Sequence, residues 1–418
     1  MVSRVSRLPF WFLATGLVSF AAFQLWSLAD LASWLAAFAE DPRMPSGWSR
    51  AHLLVLGWAT MIAMGAVYQL VPVVLQNRNL FSERLGYVQY AVFTAGFAGL
   101  AAGFLAADAI LIGGFAVLAF AGILLFAFNI GATLIRANAW TNVSAGCAAA
   151  VFHLVLAGAA GMLMGLNFAF EWWGTFHDRL LGAHLWLGAA GWFGFLIMSF
   201  SFKLFPMFHL SHGHPEALQR WVAGFLAAGV WTGVPSFLFN APAWCHWIAL
   251  TCAASAFVLY AVHLSQIVRF RHKQTPGAGI RWSRHLAIGQ ASVAALLVPL
   301  SAVFPDIVLS TRMAVVIGWL YLWGWVGGTI LAYLSKIIPF LWWTSKYGSR
   351  AGREKVPTMA ELIDDRKVNA LLTAIFAGLF VLAAGFGWNS PLLQSLGGGL
   401  LAAVSLLYAG YVGAVFAK

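Results

Sequence analysis

Charged residues are scarce in this sequence. Asp, Glu, Lys and Arg together make up 9% of the 418 residues, while 61% are hydrophobic. So little charge excludes a water-soluble globular protein. Cysteine is also rare, and Cys147, Cys245 and Cys252 show neither a Cys-x-x-Cys pair nor zinc-type spacing. We therefore expect these three thiols to act as apolar packing residues.

Acidic residues are the rarer charged class, with 13 Asp and Glu against 24 Lys and Arg, for a net charge of +11. None of them falls clearly deep within an apolar stretch, whereas ion-coupled carriers usually need such groups near the membrane midplane. The basic residues are densest in 269–284 and 336–367. In an apolar chain, such clusters are typical of cytoplasmic loops that contact anionic headgroups. The predicted partner is therefore the lipid bilayer, and no nucleic acid is expected.

Long apolar runs occupy most of the chain. Stretches of 20 or more residues are long enough to cross a hydrocarbon core of roughly 30 Å as helices. The first run follows basic residues, as in a signal peptide, but it is too long for one. Twelve spans are predicted, at about 9–37, 51–75, 85–106, 110–135, 145–168, 181–206, 220–240, 245–268, 284–304, 313–341, 368–388 and 391–415.

One motif occurs three times, as Gly-Trp followed after ten residues by Gln or Lys and then by Pro. Its copies begin at Gly57, Gly191 and Gly324, which are 134 and 133 residues apart. A fixed period reveals repeated architecture. Because twelve spans divide into three units of four, each unit makes an even number of crossings and the copies run parallel.

The predicted fold is an all-α, polytopic membrane protein with about twelve transmembrane helices in one transmembrane domain. Its three parallel four-helix repeats surround a pseudo-threefold axis, and the motif lies on helices 2, 6 and 10 around the middle. The repeat units are about 1–140, 141–275 and 276–418.

The positive-inside rule orients this bundle with both termini in the cytoplasm. Of the 24 Lys and Arg residues, all but Arg43, Arg50, Arg179 and Arg312 then lie on the cytoplasmic side. The expected location is a bacterial-type inner (plasma) membrane.

Two histidines stand out because they lie on motif-bearing helices at similar depth. His52 lies five residues before its motif glycine and His184 seven before its own, so their depths agree within about 3 Å. Histidines from facing helices can hold a haem or a metal ion, although a single interfacial histidine can also rest at the headgroup level. In the third unit, the position five residues before the motif glycine is Trp319, and the position seven residues before it is Ile317. His153 is either a helix-packing hydrogen-bond partner or a second ligand.

Three of the outer basic residues, Arg50, Arg179 and Arg312, lie near the outer ends of the motif-bearing helices. Guanidinium groups pair well with carboxylates, so haem propionates are candidate partners. Snorkelling toward lipid phosphates is the alternative.

The inner side carries a second group of polar residues. His209-Leu-Ser-His212-Gly-His214 resembles a short metal-binding tract. It lies in a connection that contains Gly and Pro, which favours a loop without a metal. Lys203 and Lys336 precede prolines that we expect to end their helices, and they are interpreted as polar ends at the inner interface.

The whole chain resembles, in topology, subunit I of the haem-copper oxidase superfamily, including its cbb-type oxidase and nitric oxide reductase branches. The family's low-spin haem ligand on helix 2 is matched by His52 in Arg50-Ala-His-Leu-Leu-Val-Leu-Gly-Trp58. Its helix 6 metal ligand is matched by His184 in Ala183-His-Leu-Trp-Leu-Gly188. The spans 220–240 and 313–341 lack the family's further histidines. The chain therefore resembles a short relative, in size and hydropathy like the NnrS proteins.

This resemblance implies a membrane protein that binds haem b, with copper as a weaker possibility. The cofactor-binding set is His52, His184, Arg50, Arg179 and Arg312, and the metal-binding set is His52, His184 and His153. The function would be electron transfer, or binding or turnover of a diatomic gas (NO or O2), with a redox partner or quinol. An oxidoreductase activity would operate without the complete binuclear ligand set. A transporter or channel, and a non-catalytic scaffold for a redox partner, are the alternatives.

Overall fold

The protein is all-α and polytopic, as predicted. The structure, a computed structural model, describes residues 6–75, 79–136, 140–308 and 310–418. Within these ranges the only β-type pairing consists of two isolated bridges. The described part of the chain contains twelve helices that are long and apolar enough to cross a membrane: α1 (Leu8–Ala29), α2 (Pro45–Val74), α3 (Glu83–Leu105), α4 (Ala109–Ile135), α5 (Asn142–Phe170), α6 (Phe176–His209), α7 (Ala217–Leu238), α8 (Ala243–Arg269), α9 (Ala278–Val303), α10 (Arg312–Lys346), α11 (Asp365–Gly387) and α12 (Pro391–Ala417).

The helix boundaries differ from the predicted ones where polar residues lie. The first predicted span, 9–37, is broken at Asp30, so that α1 is followed by a separate helix, Leu31–Glu40. Helix α10 continues to Lys346, and Pro339 lies inside it rather than at its end. A proline within a helix leaves one carbonyl without its helical donor. Neighbouring helices and side chains can compensate for this loss in a membrane protein, so the helix need not end there.

Polar side chains cap the first turns of helices α4 and α5. The Asp108 carboxylate accepts hydrogen bonds from the backbone N–H groups of Ile110 and Leu111 at the start of α4. Thr141 and Ser144 form a reciprocal cap at the start of α5. These caps satisfy backbone donors that no helical carbonyl can reach.

Nine of the twelve helices close into a ring around the other three, α2, α6 and α10. Neighbouring helices pack against each other in chain order, and α12 packs against α1. In their most apolar stretches, α2, α6 and α10 have 72%, 78% and 56% of their residues buried, against at most 50% for any other span. The three motif-bearing helices are therefore the most buried spans, while the repeat arrangement and the orientation in the membrane stay predictions.

Each central helix contains a π-helical segment at the Gly-Trp pair. The segments are Leu53–Thr60, Leu187–Gly194 and Leu320–Gly327. Their starts are separated by the same intervals as the motif. The motif tryptophans Trp58, Trp192 and Trp325 are each only 1% exposed. π-Helical segments are rare and frequently lie at functional sites.

Candidate functional site

His52 and His184 lie immediately before π-helical segments. His52 is the last residue of the α-helical part of α2 that precedes Leu53, and His184 lies three residues before Leu187. Both side chains pack toward α5: His184 lies against Ala157 and Gly161, and His52 stacks on Phe104, which in turn meets Phe168 of α5.

The ring of His52 is held by its own helix and by α3. Its Nδ1 lies 2.8 Å from the carbonyl oxygen of Trp48. The ring stacks on Phe104, with centroids 4.8 Å apart and planes 25° apart. Phe104 itself meets Phe168 of α5 edge-on. These contacts fix the position and the plane of the imidazole.

The ring of His184 is held by α5. Its Nδ1 lies 2.8 Å from the carbonyl oxygen of Ala157. A Cβ at Gly161 would lie 3.1 Å from His184 Cε1, so this glycine makes room for the ring. One turn beyond His184, a Cβ at Gly188 would meet no heavy atom within 4 Å, which leaves open space beside the histidine.

Both histidines share one protonation pattern. A carbonyl oxygen only accepts hydrogen bonds, so each Nδ1 must carry the proton and donate it. The neutral ring then presents the Nε2 lone pair, and no described residue hydrogen-bonds to either Nε2. A ligating histidine is usually fixed in this way, with one ring nitrogen donating to a carbonyl and the other facing the metal.

This donor set fits a haem better than a single metal ion. Among the described residues, no group of three or more His, Cys, Asp or Glu side chains could hold a metal ion. Biological copper and zinc centres generally use three or four protein ligands, whereas a haem iron needs at most two axial ones. The number of donors in the pair of His52 and His184 therefore fits a haem, while the described residues offer no third donor for a copper ion.

His153 lies in a separate environment on α5. It is 2% exposed and stacks on Phe195, with centroids 5.2 Å apart. A Cβ at Gly191 would lie 2.6 Å from His153 Cβ, so the motif glycine accommodates this histidine. Neither ring nitrogen makes a hydrogen bond within the described residues. The structure does not bring His153 together with His52 and His184 as one metal-binding group.

The three arginines differ in their surroundings. Arg50 is 4% exposed, and its Nη2 donates to both carboxylate oxygens of Asp30 at 2.7 and 2.6 Å. Its guanidinium also lies 3.9 Å from the ring centroid of Trp26. Arg179 and Arg312 are exposed at the ends of α6 and α10. Arg50 thus has an internal counterion, which the sequence analysis missed.

The histidines near the connections after α6 and α8 form two pairs. His212 and His272 have ring centroids 6.0 Å apart, and His214 and His263 are separated by 6.1 Å. Ser211, in the connection after α6, is held against the end of α8, because its hydroxyl donates to the carbonyl oxygen of Ile267. The tract begins at the last residue of α6, His209, and continues in the connection to α7.

The motif lysines have different roles. Lys336 Nζ lies 2.9 Å from Asp365 Oδ1, so this lysine ties α10 to the start of α11. Lys203 is exposed. The prediction that a proline ends the helix after Lys203 is wrong, because Pro206 lies inside α6, which continues to His209. Lys336 is part of an ion pair.

Comparison with known proteins yields no assignment: no protein-family model matches the chain, and no curated protein matches it. Function is therefore inferred from the residues themselves.

Proposed function

We propose that this membrane protein binds a haem b between α2 and α6, with His52 and His184 as axial ligands, and that it transfers electrons. One observation carries the proposal. One imidazole on each of two central helices donates its Nδ1 proton to a backbone carbonyl at 2.8 Å, and neither Nε2 has a partner among the described residues. Two axial histidines leave no open position, so electron transfer is favoured over binding or turnover of NO or O2.

The protein would supply position and environment, and the haem would supply the one-electron chemistry. The carbonyls of Trp48 and Ala157 hold the rings in the correct tautomer. Phe104 fixes the plane of His52, and Gly161 lets His184 approach α5. The apolar side chains around the pair would limit the access of water, which tunes the reduction potential of a buried haem.

The remaining proposals follow from the oriented bundle. The haem would lie toward the outer face of a bacterial-type inner membrane, with both termini in the cytoplasm. A quinol or a redox protein would supply or accept the electron. Arg179 and Arg312, which are exposed near this end, would remain available to haem propionates or lipid phosphates.

Absorption spectroscopy of the purified protein tests the proposal. We expect a Soret band with the α-band of a reduced haem b. We expect at least about tenfold less haem per chain in His52→Ala and in His184→Ala, because each change removes an iron ligand. His285→Ala is the matched control, since His285 is exposed on α9 and packs beside Trp282.

Two results would reject the proposal. One is a purified, folded protein without haem. The other is a haem content that is unchanged in both ligand variants. Substrate-dependent flux in liposomes from haem-free protein would instead support the transporter alternative, and haem-free binding of a redox partner would support the scaffold.

A further inference from the structure

An open cleft lies at the end of the bundle where α1 begins and where α10 and α12 end. Its volume is about 680 Å³. It is lined by the start of α1, by the last turns of α10 and by Phe416 of α12. Because the ends of membrane-spanning helices lie near the lipid headgroups, the cleft lies at the boundary between headgroups and hydrocarbon.

Three aromatic rings from three different helices pack together in this cleft. Phe10 meets Trp342 and Phe416 edge-on, with ring centroids 6.2 and 6.1 Å apart. Trp342 and Phe416 are also edge-on to each other, at 5.7 Å. Each ring therefore contacts the other two, and these favourable edge-to-face contacts give the cleft a fixed apolar surface.

The apolar surface continues along α1 into the span. Ala14 lies seven residues after Arg7, which corresponds to about 10 Å along a helix axis. Ala14 and Trp11 both line the cleft and are both exposed. An exposed apolar wall of this depth matches a hydrocarbon chain that lies along the helix, because burying apolar surface against it is favourable.

Two basic side chains lie at the polar end of the cleft. Arg7 and Lys346 both line it, and none of the described lining residues is acidic. Within the described part of the chain, Arg7 forms no ion pair. Lys346 Nζ donates to the carbonyl oxygen of Lys418 at 2.6 Å. Since an ammonium group has three N–H donors, two of them remain for a ligand.

The charges and the apolar wall together fit one class of ligand. Guanidinium and ammonium groups bind phosphate oxygens through charge-assisted hydrogen bonds. A soluble phosphate would use only these charges, and an uncharged lipid would use only the apolar wall. Basic pockets between transmembrane helices bind the headgroups of anionic lipids.

We propose that this cleft binds one anionic phospholipid. Its phosphodiester group lies between Arg7 and Lys346, and one of its acyl chains lies along Phe10, Trp11 and Ala14. The inference depends neither on haem binding nor on the orientation of the bundle in the membrane.

Native mass spectrometry of the full-length protein, released from detergent micelles with defined lipids, tests this inference. Phosphatidylglycerol and phosphatidylethanolamine with identical acyl chains are the probes, because they differ in net charge. We expect the first phosphatidylglycerol to bind at least about fivefold more tightly than the first phosphatidylethanolamine. A basic residue near an anionic lipid contributes about 1 kcal/mol, which is about fivefold in affinity.

Charge variants locate the headgroup. Arg7→Gln and Lys346→Gln should each weaken the binding of phosphatidylglycerol about fivefold and change that of phosphatidylethanolamine less. Arg353→Gln and Lys355→Gln are the matched controls. Both of these residues are exposed in the connection after α10, and neither lines the cleft, so the controls should keep wild-type affinity.

An apolar variant locates the acyl chain. Ala14→Trp fills the wall of the cleft and should weaken the binding of both lipids. Ala98→Trp, a matched change at an exposed position on α3, should not. If Ala14→Trp fails to fold, the exposed charge variants still test the inference.

Four results would overturn the inference. They are equal binding of the two lipids by the wild type, unchanged affinity in both charge variants, equal losses in the charge variants and their controls, and full phosphatidylglycerol binding by folded Ala14→Trp. Haem content is not a readout, so failure here is distinguishable from failure of the proposed function.

Discussion

At the scale of single residues, Asp30 determines the environment of Arg50. An arginine that is 4% exposed in a membrane protein needs a counterion, and Asp30 provides it at 2.6 Å. Asp30 also lies at the break between α1 and the following helix. The sequence predicted an outer-face arginine, but not its partner, because the two residues are on different helices.

Replacing Asp30 by Ala should lower the free energy of unfolding by about 1–3 kcal/mol. The value is below that for a fully buried pair because the Asp30 side chain is 40% exposed. Denaturant unfolding in detergent measures the change. Asp41→Ala is the control, because Asp41 pairs with Arg43 at 3.6 Å on an exposed surface and should cost less than about 1 kcal/mol. Equal effects in the two variants would contradict the assignment.

A substitution at His153 tests whether this residue is a packing residue or a ligand. Its ring is stacked on Phe195 and both nitrogens lack partners within the described residues. His153→Phe should therefore leave haem content unchanged and leave the thermal midpoint equal or higher, because an unsatisfied buried polar group is removed. Loss of haem in a folded His153→Phe protein, measured by absorption, would show that His153 is a ligand after all.

At the scale of elements, the π-helical segments set the direction of the helix ends that carry His52 and His184. Sequence patterns predicted the spans, since long apolar runs identify membrane helices. They did not predict the π-helical turns, because such turns usually result from one extra residue within an α-helix and are stabilised by tertiary packing. The packing partners, such as Phe97 near Gly57, come from other helices.

Deleting Val55 from the first π-helical segment should restore a regular α-helix. The outer end of α2 would then rotate by about 100° relative to its inner end, which turns His52 away from His184. We expect at least about tenfold less haem per chain, measured by absorption. Deleting Leu322, the equivalent residue in Leu320–Gly327, is the control and should retain haem. Full haem content after deletion of Val55 would contradict this role.

At the scale of the whole molecule, hydropathy predicted the spans, and the motif marked three of them. These three, α2, α6 and α10, are the most buried spans. The period does not show where the units differ, such as Ala66 in the first unit against Phe200 in the second. The pairing of His52 with His184 was predicted from depth alone, while their carbonyl partners required the fold.

The predicted orientation can be checked by labelling single cysteines in intact cells after Cys147, Cys245 and Cys252 are replaced by serine. Lys355 and Trp172 are both exposed and lie in connections at opposite ends of the bundle. Trp172→Cys should react with a membrane-impermeant maleimide, and Lys355→Cys should react only after permeabilisation. The reverse pattern would invert the topology.

Near-infrared magnetic circular dichroism of the purified, oxidised protein tests most directly whether His52 and His184 are the two axial ligands of one haem. This measurement identifies the ligand pair of a low-spin ferric haem. We predict the charge-transfer band of bis-histidine ligation in the wild type, and its loss in both His52→Ala and His184→Ala. A protein without haem, a histidine–methionine band, or a bis-histidine band that survives either substitution would contradict the account.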